Sequence, residues 1–268
     1  MAFLEKLSPT TKAGLLGALG GVALATLAAH VPALTPSWCR PRAGKAVYVL
    51  IVEMKLSAER GGVEAFKRAW AVLAADVKAR EDRCLTYELS QSVDDPNSIS
   101  IFERYVDQAD LDVTHRAGVA FKEFGRQLGK GGALEGLVMS RSMRTFRESG
   151  VGYMNKSADT FVLVVEMTLN AQMGGVAALK AAWAGLAADV KAREPNCLSY
   201  ELIESTQDPL KVVIYERYAS RSDLDVAHQA GAAFKAFGKR LGEQDLKGLV
   251  VEKKKSYFIE SGVGYWAK

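Results

Sequence analysis

Two histidines stand at matching places in two halves of the chain. His115 follows Asp110-Leu111-Asp112-Val113, and His228 follows Asp223-Leu224-Asp225-Val226, each after one intervening residue. An imidazole exchanges protons near neutral pH more readily than other side chains. At a pocket wall it would accept a proton from a bound molecule or hydrogen-bond it. Under a helix it would be a half-buried ring bonded to a strand carboxylate or carbonyl, because a buried polar group needs a partner. Both readings stand at this stage. Glu103 and Glu216 alternate with apolar strand positions in Ile101-Phe102-Glu103-Arg104-Tyr105 and Ile214-Tyr215-Glu216-Arg217-Tyr218. Burial would raise such a carboxyl and make it a base, or it would pair with the histidine or an arginine. Glu88 and Glu201 point to the opposite face from Tyr87 and Tyr200, toward a shared interior or its rim. Arg104 and Arg217 would bind an anionic group or lie exposed on their strands. Tyr87, Tyr105, Tyr200 and Tyr218 can line an aromatic pocket with polar tips. Trp70 and Trp183 sit on helical stripes and read as core.

These residues pair because the chain repeats itself. Residues 46–153 and 159–265 are two copies of one sequence, 113 residues apart over most of their length. A period this long is a whole domain rather than a solenoid unit. The 268-residue chain therefore divides into a leader over 1–45 and domains over 46–154 and 159–267, each large enough to bury a core without disulfides or metals.

Composition excludes several functions. The net charge is +4, and the one basic cluster in a domain, Lys253-Lys254-Lys255, reads as a solvated strand edge. No nucleic-acid face of gathered basic and stacking residues is expected. The three cysteines, Cys39, Cys84 and Cys197, form no CxxC, which argues against a disulfide framework and a zinc site and for a reducing compartment. The three histidines are too scattered for a metal site. Neither a phosphate-cradling glycine loop nor a Ser-His-Asp set is supported.

One copy reads as follows. Ala46 to Met54 is a strand, apolar on both faces. Gly61-Gly62 marks a turn, and Val63, Phe66, Trp70, Leu73 and Val77 form one helical stripe. Cys84 to Ser92 and Ser98 to Val106 are strands joined by Asp95-Pro96-Asn97 turn chemistry. A second helix runs from Asp107 or Asp110 to about Leu128, and Leu137 to Phe146 is the last strand. The order β-α-β-β-α-β is the ferredoxin-like arrangement, with both helices on one sheet face. Since the first strand is apolar on both sides, the other face is expected to pack on the sheet of the second copy. The fold expected is α+β: two ferredoxin-like repeats forming an intramolecular dimeric α/β barrel, preceded by an N-terminal hydrophobic helix.

Between Lys12 and Arg40 the chain carries no Lys, Arg, Asp or Glu. Ala13 to Leu34 just reaches the length of a transmembrane helix; a cleaved signal peptide and a buried soluble helix are the other readings. Gly14, Gly17, Gly20 and Gly21 would let another membrane helix approach closely. Arg40, Arg42 and Lys45 after the segment place the domains on the cytoplasm-like side of a membrane: cytosol, stroma or matrix. The partners expected are a membrane, other subunits of a membrane complex and a hydrophobic aromatic small molecule.

In both copies the motif series resembles the antibiotic biosynthesis monooxygenase (ABM) domain. It comprises Leu85-x-Tyr87-Glu88-Leu89, Asp95-Pro96, Phe102-Glu103-Arg104-Tyr105, Leu111-Asp112 with His115, and Phe121. The resemblance implies a dimeric α/β barrel. It also implies oxidation of phenolic polycycles or quinols by O₂ with neither metal nor flavin, although other members degrade haem and many have no known activity. Tyr105 and Tyr218 stand where the family often has Trp, and the haem-degrading combination of Asn, Trp and His is not found, so haem degradation is not expected. Three functions remain: a membrane-anchored, cofactor-independent monooxygenase acting on a quinol or phenol; a non-catalytic subunit of a photosynthetic or respiratory membrane complex, with its ABM folds as docking surface; and a soluble small-molecule binding module. For the first, His115 and His228 are the catalytic candidates, and Tyr87, Tyr105, Glu103, Tyr200, Tyr218 and Glu216 the substrate-binding ones.

Overall fold

The computed structural model of the chain describes residues 46–155 and 160–266. The hydrophobic helix and membrane anchor expected within residues 1–45 lie outside the described residues, as does Cys39. No described helix is long and apolar enough to cross a membrane.

The first repeat is β1 (Tyr48–Leu56), α1 (Gly62–Arg80), β2 (Cys84–Ser92), β3 (Ser98–Tyr105), a π-helical turn (Asp110–His115), α2 (Val119–Leu128) and β4 (Val138–Met154). The second is β5 (Phe161–Leu169), α3 (Gly175–Arg193), β6 (Cys197–Ser205), β7 (Lys211–Tyr218), a second π-helical turn (Asp223–His228), α4 (Ala232–Glu243) and β8 (Val250–Trp266). The α1 stripe is buried at all five predicted positions. The β2–β3 turn is held by Asp95, whose carboxylate accepts from the Asn97 backbone N–H at 3.1 Å and the Ser98 hydroxyl at 2.6 Å.

Two elements depart from the sequence expectation. The second helix is not continuous. Its first six residues are a π-helical turn, the backbone is extended at Gly118, and α2 starts anew. A π-turn carries an extra residue per turn, here with the Arg116 N–H bonded to the Leu111 carbonyl at 3.1 Å. It ends on His115, which faces the sheet. The last strand of each repeat is also longer than expected. The strand expected to end at Phe146 continues to Met154, so that β4 spans 17 residues. It pairs with β1 as far as Arg147, is joined on its other side by β6 of the other repeat from Phe146 to Glu148, passes an irregularity, and continues along β6 from Gly152 to Met154. β8 does the same between β5 and β2.

These crossings replace two facing sheets with one closed antiparallel barrel in the order β1-β3-β2-β8-β5-β7-β6-β4. Strand alternation then sorts side chains into two environments. Leu50, Val52, Ile101 and Tyr105 pack under α1 and α2. Val49, Ile51 and Phe102 meet Val162, Val164 and Tyr215 inside the barrel, where Phe102 stacks on Tyr215 with ring centroids 3.9 Å apart. Arg104 and Arg217 also point inward, so neither is an exposed strand arginine. Arg217 is fully buried, bonds Glu260 at 2.7 Å and lies 3.6 Å above the Trp266 ring; Arg104 bonds Glu148 at 2.8 Å. Low-dielectric burial of a charge demands such a partner.

The crossing strands leave no room for a side chain at two glycines. A Cβ on Gly152 (φ +120°) would lie 2.3 Å from the Tyr200 carbonyl oxygen, and one on Gly264 (φ +131°) 2.2 Å from that of Tyr87. Gly152→Ala and Gly264→Ala are each expected to cost about 3 kcal/mol or more, since both backbone strain and a backbone clash result. Gly185→Ala, in the open middle of α3 with nothing within 4 Å of the new methyl, should instead add roughly 0.5–1 kcal/mol. Urea denaturation of the three variants checks both signs.

Candidate functional site

The alternation that fills the barrel turns the candidate residues outward, beneath the helices. Tyr200 on β6 stacks against Trp183 of α3 with centroids 4.5 Å apart, and Tyr87 stacks against Trp70 of α1 at the same distance. The four tyrosines therefore do not line an aromatic pocket shared by the two copies. Tyr87 and Tyr105 belong to the first helix–sheet layer, and Tyr200 and Tyr218 to the second. The reason is parity: the residues that alternate with them, such as Glu88 and Glu201, occupy the other face of the sheet.

In each layer the structure gathers a glutamate, the histidine and a tyrosine into a chain. His228 Nδ1 lies 2.8 Å from Glu194 Oε2, and its Nε2 lies 3.4 Å from the Tyr200 hydroxyl. In the first repeat Nδ1 of His115 lies 3.1 Å from both carboxylate oxygens of Glu81, and Nε2 lies 3.3 Å from the Tyr87 hydroxyl. With Nδ1–H donating to the carboxylate, Nε2 is the acceptor nitrogen, the orientation a proton-accepting imidazole needs. Beside each histidine lies a second carboxyl. Tyr218 donates to Glu216 at 2.7 Å, and Tyr105 to Glu103 at 2.7 Å. Burial raises both carboxyls above the ordinary glutamate range, while the neighbouring histidine and the tyrosine hydroxyl pull the other way. Burial also pushes the phenols of Tyr87, Tyr105, Tyr200 and Tyr218 up, so all four remain hydrogen-bond donors.

In the second repeat this cluster opens onto a pocket of about 110 Å³ between α4 and the sheet. Its walls include Trp183, Glu216, His228, Phe234, Phe237 and Lys255. An apolar cavity of about 150 Å³ holds a benzene molecule, so the space approaches that of one aromatic ring. His115 and His228 are each only 1% exposed, so the His228 imidazole sits at the sheltered inner end of the pocket, whose rim carries the exposed Lys253 and Lys255.

Glu81 and Glu194 are the site residues that sequence reasoning missed. Each caps the C-terminus of a long helix and lies 34 residues from its histidine. Their recurrence as Arg80-Glu81 and Arg193-Glu194 at matching repeat positions was the available signal. Among the described residues, Cys84 and Cys197 take no part. Burial pushes the Cys84 and Cys197 thiols up to about 12, far from the thiolate that reactivity requires. Among the described residues no group of three or more His, Cys, Asp or Glu side chains is placed to hold a metal ion.

The sequence model of the family described as antibiotic biosynthesis monooxygenase matches the chain twice, over residues 49–127 and 162–240. No curated protein matches it. Among solved structures, the chain is similar to the "putative monooxygenase" of Lactobacillus acidophilus NCFM, with a TM-score of 0.67 at 12% identity over 84% of this chain and 99% of that one. A "putative monooxygenase" of Fusobacterium nucleatum subsp. nucleatum gives 0.62 at 14% identity with the same coverage. An anthrone oxidase-like protein gives 0.55 at 15% identity over 81% of this chain and 92% of that one. At these identities the likeness is one of fold.

The buried carboxyls tie stability to pH. A carboxyl raised in the folded state holds its proton more tightly there than in the unfolded chain. Its contribution is fully present below the ordinary carboxylate range and is lost as pH rises through the elevated value. Glu216→Gln keeps an acceptor for the Tyr218 hydroxyl and removes the charge. Its melting temperature relative to the parent chain is expected to climb as pH is raised from about 4 to about 8. A difference that stays flat across scanning-calorimetry runs would contradict this.

Proposed function

Because the chain belongs to the antibiotic biosynthesis monooxygenase (ABM) family, we propose that it is a cofactor-independent monooxygenase whose second repeat oxidises a quinol or phenol with O₂. The observation behind this reading is the largely apolar pocket, close to the size of one ring, with the buried His228 and Glu216 in its wall and Glu194 fixing the imidazole from behind. The phenolic O–H would give its proton to Nε2 of His228, displacing the long contact to Tyr200, and Glu194 would stabilise the imidazolium that forms. The electron-rich ring then reacts with O₂. One oxygen atom replaces the hydrogen on a ring carbon and becomes a quinone carbonyl. The other leaves as water with that hydrogen and the phenolic proton, the substrate itself supplying the electrons. Water exclusion strengthens each of these electrostatic contacts. A leader that anchors in a membrane would bring the pocket to lipid-dissolved quinols.

A second reading takes the same burial the other way. Both histidines are bonded at both nitrogens and 1% exposed, which suits a non-catalytic subunit of a membrane complex whose ABM folds serve as docking surface. Quinol-dependent O₂ uptake separates the two. His228→Gln is expected to lower the rate by roughly 10²-fold or more, the scale of general-base loss, and His115→Gln by less. No uptake by the unaltered chain with a panel of quinols and phenols would favour the subunit.

A further inference from the structure

The lysine run of β8 is divided by strand alternation. Lys254 turns toward the barrel mouth, 3.7 Å from Glu166. Lys253 and Lys255 turn to the helix side and line the second repeat's pocket. Here β8 has β5 alone as a neighbour, so both ammonium groups keep access to water, and both residues are exposed. Neither makes an ion pair among the described residues.

The first repeat shows what these positions hold when the pocket is differently equipped. β4 and β8 start at Val138 and Val250 and run in step. Lys253 therefore answers to Arg141, and Lys255 answers to Met143. The cation at the Lys255 position is thus peculiar to the second repeat. The wall behind the lysines is apolar, with Trp183, Phe234 and Phe237 lining the same pocket.

The pocket thus combines an apolar slot with two ammonium groups that make no close ion pair and line it from an exposed strand, Lys255 being near enough to the buried Glu216 to favour its charged form. We infer that it binds an aromatic ring carrying an anionic substituent, such as an aryl carboxylate, with Lys255 and Lys253 holding the anion and the apolar wall holding the ring. This rests on reading the pocket as the substrate site and narrows the substrate to an acidic quinol or phenol. A pocket lined by cations over low-dielectric walls concentrates anions at its opening, and a charge-assisted bond to a carboxylate fixes the ring's orientation.

The test uses the full chain and two probes that share one quinol ring, 2,5-dihydroxybenzoate and its neutral counterpart 2,5-dihydroxybenzyl alcohol. Calorimetric titration at low salt is expected to show the benzoate binding roughly 10-fold more tightly, the scale of two partly exposed ion pairs. The preference should shrink as salt is added. Lys255→Met, which installs the first repeat's residue on an exposed strand, should remove most of it. Equal affinity for the two probes overturns the inference, as does a preference unchanged in Lys255→Met or a failure of both probes to bind. O₂ uptake with the same probes is read separately. A benzoate preference that depends on Lys255, with no O₂ uptake from either probe, supports the binding inference and counts against oxidation alone. Uptake that is equal with both probes and unaffected by Lys255→Met supports oxidation and overturns the inference.

Discussion

The contact of two glycine backbones with a neighbouring strand decides how this chain is put together. At Gly152 and Gly264 the strand lies so close to the carbonyls of Tyr200 and Tyr87 that no side chain fits. That approach lets the ends of β4 and β8 leave their own repeats and finish the sheets of the other. Barrel closure follows, and so does the site. Tyr153 reaches across to donate to the Cys197 carbonyl at 2.9 Å, and Tyr265 to the Cys84 carbonyl at 3.1 Å. Each helix–sheet layer is thus completed by residues from the far half of the chain, and Tyr200 and Tyr87 are held in place by strands that are not their sequence neighbours.

Duplication left the two layers alike in framework and unlike in detail. The Glu-His-Tyr chain and the Glu-Tyr pair recur with nearly the same distances. The surroundings have diverged. Arg116 near Glu103 answers to Gln229 in the second pocket, and Met143 answers to Lys255. Inside the barrel Arg217 is sealed against Glu260 and Trp266, whereas Arg104 pairs with a Glu148 that is 13% exposed. Met154 stands where the second copy has Trp266. A recurring framework with changing walls is what a protein shows when one copy is free to specialise.

The repeat, the strand order and the hairpin bounds at Cys84–Ser92 were legible because they rest on local pattern: matching hexapeptides, alternation and Asp-Pro-Asn turn chemistry. The apolar run in β1 also announced a sheet buried on both sides. What stayed hidden depended on distance. Glu148-Ser149-Gly150 carries turn residues, and nothing local says that the strand resumes beyond them against another repeat. Glu81 and Glu194 look like ordinary helix-end acids until folding brings them to a histidine 34 residues on. Arg104 and Arg217 look like surface cations, because a lone arginine on a strand gives no sign of the carboxylate that permits its burial. A single second helix running to Leu128 assumes a uniform helical period, which the π-turn at Asp110–His115 breaks.

The exchanged strand ends bear on how the chain comes to be folded during synthesis. β2 acquires its second neighbour only from residues 258–266, at the far end of the described chain. While the ribosome is still making the second repeat, the first presents a sheet whose outer strands, β2 and β4, lack their far neighbours and a helix layer lacking Val263 and Tyr265. Pairing across so many residues is slow, and an unpaired edge of this kind attracts other chains. A lone first repeat would find its missing strand in a second copy of itself. The covalent link between the repeats supplies that strand at high effective concentration, which favours closure within one chain over assembly between chains.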